Sequence, residues 1–252
     1  MTDTDVAKSE NISPFQRVVD HLHRKIRSGE LAAHAPLPSE RAIAEEYGIS
    51  RMTARRALIA METEGLAYSL RRRGRFVSPH RLTYNVGTTI SFLAESNEKS
   101  LGLEVEVIST EVIPADADIA EKLAIPPGED IYRYLRLFRL KGHPSFIEYE
   151  YSAVRHFPGF FDHDMTQSTT LLMEREYNMP AESGDIVVKM RALTDTESEL
   201  LGLLKYHVGM QLEQTIHTPK GVPIFYSRQL WRGELAEFTA HAAVRAQGEA
   251  SG

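Results

Sequence analysis

Four side chains between positions 51 and 56 are of the types that read the edges of DNA bases: Arg51, Thr53, Arg55 and Arg56. The apolar residues among and after them recur at helical spacing, and burying those residues turns the four polar side chains outward near the start of a helix. A guanidinium in that position can donate two hydrogen bonds to O6 and N7 of guanine in the major groove. The alternative is a basic helix face that meets only solvent.

The segments around this helix predict the frame that would position it. Three helices are predicted: one that starts at Pro14, a short one over Glu40 to Tyr47, and a third that Ser50 caps and that runs to about Glu64. Two strand candidates, Leu66 to Leu70 and Phe76 to Ser78, flank a turn over residues 71–75 and predict a hairpin. This order of elements is that of a winged helix-turn-helix.

The charge of the chain is distributed unevenly. Overall, 29 Lys and Arg stand against 35 Asp and Glu, a formal net charge of −6. Residues 13–80 nevertheless carry twelve Lys and Arg against seven acids, whereas residues 81–252 carry sixteen against twenty-five. This asymmetry indicates that the N-terminal third meets a polyanion and that the remainder does not.

A second pair of residues that could do chemistry is Arg136 and Glu148. Alternation along a predicted strand puts Arg136 on the same face as Tyr134 and Phe138. A three-residue loop over residues 141–143 then places Glu148 on the next strand opposite Arg136. A guanidinium between aromatic rings could hold an anionic ligand, while the carboxylate accepts hydrogen bonds from that ligand. The alternative is a cross-strand ion pair.

The residues after position 100 alternate strands with short helices. The predicted strands are Glu104–Ile113, Ile131–Leu140, Phe146–Ser152, Asp185–Leu193, Gln211–His217 and Pro223–Trp231, and the predicted helices are Ala117–Leu123, Leu171–Tyr177 and Thr196–Leu203. Tight turns join most neighbouring strands, so the sheet is expected to be largely antiparallel. The predicted fold class is α+β, with an N-terminal winged helix-turn-helix followed by an antiparallel-sheet domain.

Composition and motif content exclude several classes of function. The chain has no Cys, which excludes disulfides, thiolate metal sites and a cysteine nucleophile. The ten His residues form no metal-binding pattern, and no nucleotide-binding or hydrolase motif occurs. We therefore predict no catalytic residue, no metal and no cofactor. The longest uncharged stretch has 13 residues, too short to cross a bilayer, and we expect neither a membrane partner nor a secretory signal.

The stretch LPSERAIAEEYGISRMTARRALIAMETEGL and the following RRRGRFV resemble the DNA-binding domain of the GntR family of bacterial transcriptional regulators. The resemblance implies double-stranded DNA as the partner, with the third helix in the major groove and a wing around Gly74 at the minor groove or flanking phosphate. The predicted DNA-contacting residues are Ser39, Arg41, Ser50, Arg51, Thr53, Arg55, Arg56, Arg73, Gly74 and Arg75. Two further arginines, Arg71 and Arg72, are either additional phosphate contacts or solvated charge.

Three later phrases, VIPADADIAEKLAIPPGEDIYRYLRLFRLKGHPSFIEYEY, HFPGFFDHDMTQS and GVPIFYSRQLWRGE, resemble the effector-binding (UTRA) domain of the HutC subfamily, which is similar in fold to chorismate lyase. The resemblance implies that a small metabolite binds this domain and changes operator affinity. The predicted effector-binding residues are Ser91, Phe92, Arg136, Glu148, Ser168 and Tyr226. Members that bind phosphorylated sugars often carry Arg-x-Arg where this chain has Arg136 and Phe138. Ser168 is expected to open a helix, either as a plain cap or beside an anion site.

The predicted organisation is a disordered tail (1–12), a winged helix-turn-helix (13–78), a linker (79–87), a UTRA-like effector-binding and dimerisation domain (88–243) and a second disordered tail (244–252). We expect a cytoplasmic homodimer, associated with the nucleoid, that binds a palindromic operator. The expected function is repression controlled by a small, anionic metabolite. Two other functions stay open: an enzyme with a lyase-like C-terminal domain fused to a DNA-binding domain, and an effector-independent DNA-binding protein.

Overall fold

The computed structural model describes residues 13–70, 72–79, 81–88, 90–203 and 205–242, and the two predicted tails lie outside these residues. The chain forms two compact units. Of the described residues, the N-terminal unit contains those up to Arg81 together with those in Ala192–His207 and Arg232–Leu235. The C-terminal unit contains the described residues of Leu82–Arg191 and Val208–Trp231 and those from Ala236 to position 242. Within the described residues, no helix is both long and apolar enough to cross a membrane.

The N-terminal unit begins with three helices and a hairpin: α1 (Pro14–Arg27), α2 (Glu40–Tyr47), α3 (Arg51–Thr63), β1 (Ala67–Leu70) and β2 (Gly74–Val77). A serine starts each helix, because the hydroxyl oxygens of Ser13, Ser39 and Ser50 each accept a backbone N–H three residues further on. Gly48, with φ at 62°, ends α2 and leaves room for a short turn before α3. These elements form the winged helix-turn-helix that the sequence predicts.

One face of each helix forms the core of this unit. The buried residues are Val18, Val19 and Leu22 of α1, Ile43 of α2, and Ala54, Ala57, Leu58 and Met61 of α3. On α3 each of these residues lies three or four positions from two of the others, as predicted, so they form one stripe. The opposite face of α3 is therefore directed away from the core.

The remaining elements, in chain order, are β3 (Leu82–Asn85), α4 (Phe92–Glu98), β4 (Leu103–Pro114), α5 (Ala117–Leu123), β5 (Asp130–Leu140), β6 (His143–Ala153), α6 (Thr169–Tyr177), β7 (Ser183–Ala192), α7 (Asp195–Leu200), β8 (Val208–His217), β9 (Pro223–Trp231) and β10 (Ala236–Thr239). The large sheet has the strand order β4-β5-β6-β9-β8-β7. Its hairpins β5–β6 and β8–β9 lie side by side through an antiparallel β6–β9 pair. The α+β class with an antiparallel sheet is confirmed.

Helices cover both faces of this sheet. On one face, Phe92 of α4 packs with Phe138 and Trp231, and Met173 of α6 packs with Tyr134. On the other face, α5 contributes buried residues to a separate apolar cluster with the ends of β5, β6 and β9. The face that carries Arg136 is thus enclosed by α4 and α6 and can hold a cavity.

Strands β3 and β10 and helix α4 of the C-terminal unit were not predicted. Half of the predicted linker (79–87) is strand β3, which pairs in parallel with β10 and buries Leu82 and Tyr84. The alternation of those two apolar residues with polar neighbours was the available signal. Helix α4 was also missed: the Ser91 hydroxyl caps it by accepting the N–H of Ala94, and Phe92 is buried.

The turn between β5 and β6 is shorter than predicted. Leu140 pairs directly with His143, so the loop has two residues rather than three. An extra residue in β6, Ser145, then shifts the register, and Arg136 faces Glu148 as expected. The predicted pairing is therefore present because a bulge compensates for the wrong loop length.

Two later segments complete the N-terminal unit. Thr194 and Glu197 form a capping box at the start of α7. Arg232 is fully buried, with its guanidinium 4.7 Å from the centre of the Tyr68 ring, and Leu235 packs against Tyr68 and Leu70. The compact unit is therefore larger than the segment 13–78.

Candidate nucleic-acid interface and ligand cavity

The outward face of α3 carries the arginines that the sequence singles out. Arg51, Arg55 and Arg56 are all exposed. Ser50 accepts the backbone N–H of Thr53 at 3.1 Å, and the two hydroxyl oxygens lie 2.9 Å apart. The cap fixes the start of α3, so its first turns present the arginines on a rigid element. This is the geometry in which a recognition helix enters the major groove.

A concave surface of about 490 Å³ lies beside α3, between the starts of α2 and α3 and the hairpin. It brings together six of the ten predicted DNA-contacting residues: Ser39, Arg41, Arg51, Arg73, Gly74 and Arg75. Among its described lining residues, four arginines stand against the single acid Glu40. Gly74 has φ at 101°, a conformation that side chains disfavour, so the hairpin requires glycine there.

Three of the predicted arginines contact other residues of the same unit. The half-buried Arg75 donates to Glu40 and to Glu62, each at 3.0 Å, and these bonds hold the hairpin against the helices. Arg41 pairs with a glutamate one turn further along α2, and Arg56 lies over an aromatic ring of α1. The structure thus places Arg75 in an ion-pair network, in contrast to the exposed Arg73.

We expect Arg75→Ala and Arg73→Ala to act differently. Arg75→Ala removes two partly buried ion pairs and is expected to lower the free energy of unfolding by about 1 kcal/mol. Arg73→Ala is expected to leave stability nearly unchanged and to lower the salt dependence of DNA binding by about one phosphate contact. Thermal denaturation and fluorescence anisotropy at several salt concentrations measure the two effects. Equal stability of the two variants would contradict the structural role of Arg75.

Arg136 lies in a buried ion cluster of the C-terminal unit. Its Nη2 donates to Oε2 of Glu148 at 2.6 Å and to Oε2 of Glu150 at 3.2 Å. All three charged side chains are less than one-tenth exposed. The Tyr134 and Phe138 rings lie 5.3 and 5.2 Å from the guanidinium carbon, as the alternation along β5 predicts.

The buried environment of Glu150 changes the pKa of its carboxyl. Burial desolvates its carboxylate and raises its pKa to about 7, with Arg136 opposing the shift and Glu148 adding to it. Tyr134 donates its hydroxyl to Glu150, and Thr169 donates to the same carboxylate at 3.2 Å. Burial, and then the charge of Glu150, raise the pKa of the Tyr134 hydroxyl well above its ordinary value.

A chain of buried amides extends the cluster along β8 and β9. Gln229 donates from Nε2 to Oε1 of Glu148 at 2.8 Å, and the indole N–H of Trp231 donates to Oε1 of Gln229 at 2.9 Å. Gln214 donates to the Tyr84 hydroxyl at 2.9 Å. Because these bonds pair the buried polar groups with one another, they fix the orientation of Glu148.

A small cavity lies against this network, which we call the ligand cavity. Its volume is about 20 Å³, enough for about one water-sized group. Five of the six predicted effector-binding residues line it: Ser91, Phe92, Arg136, Glu148 and Ser168. Ser168 starts α6 as predicted, but its hydroxyl makes no capping bond and instead lies 3.0 Å from that of Ser91 and 2.8 Å from that of Thr170.

Tyr226 does not line the ligand cavity. Side chains alternate between the faces of a strand, so Tyr226 points away from the face that Phe225 and Gln229 share. It stacks on Tyr151, with the ring centres 5.9 Å apart, in the apolar cluster that contains residues of α5. The structure therefore does not bring Tyr226 together with the other five predicted effector-binding residues, and its role in effector binding stays a prediction.

Several cavity residues were missed, among them Glu150, Thr169, Gln214 and Gln229. Glu150 follows Glu148 by two positions on one strand, so the same alternation that selected Glu148 already placed it beside Arg136. The two glutamines come from strands whose pairing the sequence does not specify. Among the described residues, no group of three His, Asp or Glu side chains is arranged to hold a metal.

The chain combines a winged helix-turn-helix that exposes an arginine face with an antiparallel-sheet unit that encloses a polar cavity. This combination defines a DNA-binding regulator with an effector domain. The chain belongs to the gntR family of bacterial regulatory proteins: the family profile matches residues 14–77, and the UTRA domain profile matches residues 99–237. This is a family of transcriptional regulators and not of enzymes, which sets aside the lyase-like alternative.

Relatives of known name resemble the chain over nearly its full length. It is 26% identical to the HTH-type transcriptional repressor NagR of Bacillus subtilis, over 93% of this chain and 96% of that protein. It is 24% identical to the mannosyl-D-glycerate transport/metabolism system repressor MngR of Escherichia coli, over 89% and 94%. The crystal structure of PhnF from Mycobacterium smegmatis matches 90% of this chain and all of that chain, with a TM-score of 0.63 and 21% identity, which supports the fold.

Proposed function

We propose that the chain is a homodimeric transcriptional repressor of the HutC subfamily that binds a palindromic operator. A small molecule that enters the ligand cavity would raise or lower the affinity for this operator. The α3 face, with Arg51 and Arg55 exposed on a capped helix, carries this proposal. The names of two relatives, NagR and MngR, support repression as the outcome. Residues 13–78 would bind DNA, residues 88–243 would bind the effector, and the protein would act in the cytoplasm at the nucleoid.

The enclosed polar cavity favours an effector-responsive protein over an effector-independent one. Burying carboxylates and amides costs free energy even when they are paired, and a cavity lined by a few such groups is the usual form of a small-molecule site. Here they line a cavity on the sheet face that α4 and α6 cover. A ligand bound there would bias the chain toward one conformation by its differential affinity for the two states.

The need for specificity supports a dimer. One recognition helix contacts only a few base pairs, too few to select one site in a genome. Two copies related by a two-fold axis double the number of base pairs read and require a palindromic operator. Three apolar side chains on the edge strand β7, namely Val187, Val188 and Met190, are about half exposed, which supports the acidic C-terminal domain as the contact between the copies.

Selection of DNA from a random library, combined with sedimentation equilibrium, tests the proposal. We expect the selected sequences to contain two inverted half-sites about one helical turn, or a multiple of it, apart. We expect a mass of twice 28.4 kDa at micromolar concentration. A mass of 28.4 kDa together with intact binding to a single half-site would contradict the dimer.

A further inference from the structure

The walls of the ligand cavity carry more negative than positive charge. This charge imbalance indicates the class of ligand that the ligand cavity binds, and an inference about that ligand rests on the proposed function. Among the described lining residues, Arg136 is the single Lys or Arg, and it faces both Glu148 and Glu150. Both carboxylates are more than nine-tenths buried. Arg136 balances only one of them, so the ionised form of Glu150 lacks a counter-charge in this buried site, and its pKa is raised to about 7 for that reason. A second cation in the cavity would stabilise that ionised form.

Arg136 has little capacity left for an anionic ligand. Its Nη1 donates to the backbone carbonyls of Met165 and Gln167, at 3.3 and 2.8 Å, while Nη2 donates to the two carboxylates. Its Nε–H group donates no hydrogen bond. The sequence-based expectation of an anionic ligand requires a free guanidinium, and an anion here would have to displace a buried carboxylate.

An open groove of about 340 Å³, which we call the acidic groove, adjoins the ligand cavity. The two share the lining residues Ile90, Ser91 and Thr170. The acidic groove is lined by the carboxylates of Glu95, Glu98 and Glu174 and, among the residues that the structure describes, by no Lys or Arg. Lys99 pairs with Oε1 of Glu95 from outside the lining, whereas the enclosed Oε2 of Glu95 accepts no hydrogen bond.

Charge and size point to the same kind of ligand. Across the ligand cavity and the acidic groove, one guanidinium stands against five carboxylates. The N-terminus of α6 favours anions, but a helix terminus contributes only about half an elementary charge. A volume of about 20 Å³ admits a group the size of an ammonium ion.

We propose that the effector is an organic cation, a small amine whose ammonium group enters the ligand cavity against Glu148 and Glu150 while the rest of the molecule lies along the acidic groove. The ammonium compensates the excess buried carboxylate, which an anionic or neutral ligand leaves uncompensated. A second amine on the same molecule would meet Glu95, Glu98 or Glu174, so a diamine fits both ends of the site.

Three four-carbon probes that differ only in their end groups test the charge of the ligand. Thermal denaturation of the full chain is measured with putrescine, 1,4-butanediol or succinate, each against sodium chloride at the same ionic strength. We expect putrescine to raise Tm and the other two probes to have no effect beyond the salt control. A larger rise with succinate or butanediol, or no effect of putrescine beyond the salt control, overturns the proposal.

Carboxylate variants locate the bound amine. By titration calorimetry, Glu148→Gln is expected to weaken putrescine binding at least about thirtyfold, because it removes a desolvated ion-pair partner. Glu104→Gln, an exposed position on β4 outside both linings, is expected to leave the affinity unchanged. Should Glu148→Gln fail to fold, the double variant Glu98→Gln/Glu174→Gln in the open groove is expected to weaken binding about threefold to tenfold. Wild-type affinity in the folded variants overturns the proposal.

Operator binding without any probe is measured in parallel. This measurement distinguishes a failure of the proposed cationic ligand from a failure of the proposed function. Intact sequence-specific binding combined with stabilisation by succinate would overturn the cationic ligand and leave the proposed function standing. Loss of sequence-specific DNA binding by the wild-type chain would overturn the proposed function, whichever probe raises Tm.

Discussion

Replacing Arg136 by methionine is expected to lower the free energy of unfolding by about 3–5 kcal/mol at neutral pH. The substitution keeps much of the volume but removes the guanidinium from within 2.6 Å of Glu148 and 3.2 Å of Glu150. Two buried carboxylates then lack their counter-charge. Denaturant unfolding followed by the fluorescence of Trp231, the single tryptophan of the chain and a neighbour of the cluster through Gln229, measures the loss.

Arg139→Met is the matched control on the same strand. Arg139 pairs with Glu106 at 3.1 Å at a solvated position on the opposite face of β5, so its loss is expected to cost less than about 1 kcal/mol. Similar losses for the two variants would contradict the assignment of Arg136 as the counter-charge of a buried cluster. An additional Glu150→Gln substitution is expected to recover part of the stability that Arg136→Met loses, because it removes one of the two uncompensated charges.

The pH dependence of unfolding gives an independent view of the same cluster. The pKa of Glu150 is raised to about 7, mainly by burial. Between its unfolded and folded pKa the folded state holds a proton that the unfolded chain has released, so this group makes the free energy of unfolding fall as pH rises from about 4.5 to 7. Glu150→Gln is expected to flatten that decline. The deficit of Arg136→Met is expected to shrink at the acidic end of the range, where Glu150 is protonated.

Sequence patterns predicted the elements that local chemistry determines. The caps at Ser39 and Ser50 and the stripe from Ala54 to Met61 follow from spacing over a few residues, and the structure has them where predicted. The opposition of Arg136 and Glu148 was also predicted, although by an argument that omitted the Ser145 bulge. A bulge depends on how β6 pairs with its neighbours on both sides, which is not a local property of the loop.

The parts that were missed depend on contacts between distant segments. Strand β3 forms because β10, more than 150 residues later, pairs with it. The amide network requires β9 to lie beside β6, and no local pattern specifies that neighbour. The backbone contacts of Arg136 could not be predicted for the same reason: the carbonyls of Met165 and Gln167 come from a loop whose position the sequence does not encode locally.

Arg51→Ala and Arg55→Ala are each expected to weaken operator binding by about 1–3 kcal/mol in each half-site and to relax the preference for one base pair. Both side chains project from the first turns of α3 into solvent, so neither substitution removes a buried contact or a helix cap. The free energy of unfolding is therefore expected to stay within about 0.5 kcal/mol of the wild type. Binding is measured by fluorescence anisotropy on the selected operator, on single-base variants of it and on random DNA.

Arg72→Ala separates base reading from general attraction to DNA. Arg72 is exposed at the hairpin turn, where a guanidinium meets phosphate rather than base edges. Its loss is expected to weaken binding to all DNA alike and to lower the salt slope by about one unit at most. Arg51→Ala should instead reduce the ratio of specific to random binding, because a bidentate contact to a base is lost only on the operator. An equal loss on operator and random DNA for Arg51→Ala would assign Arg51 to the phosphate backbone and contradict base reading by α3.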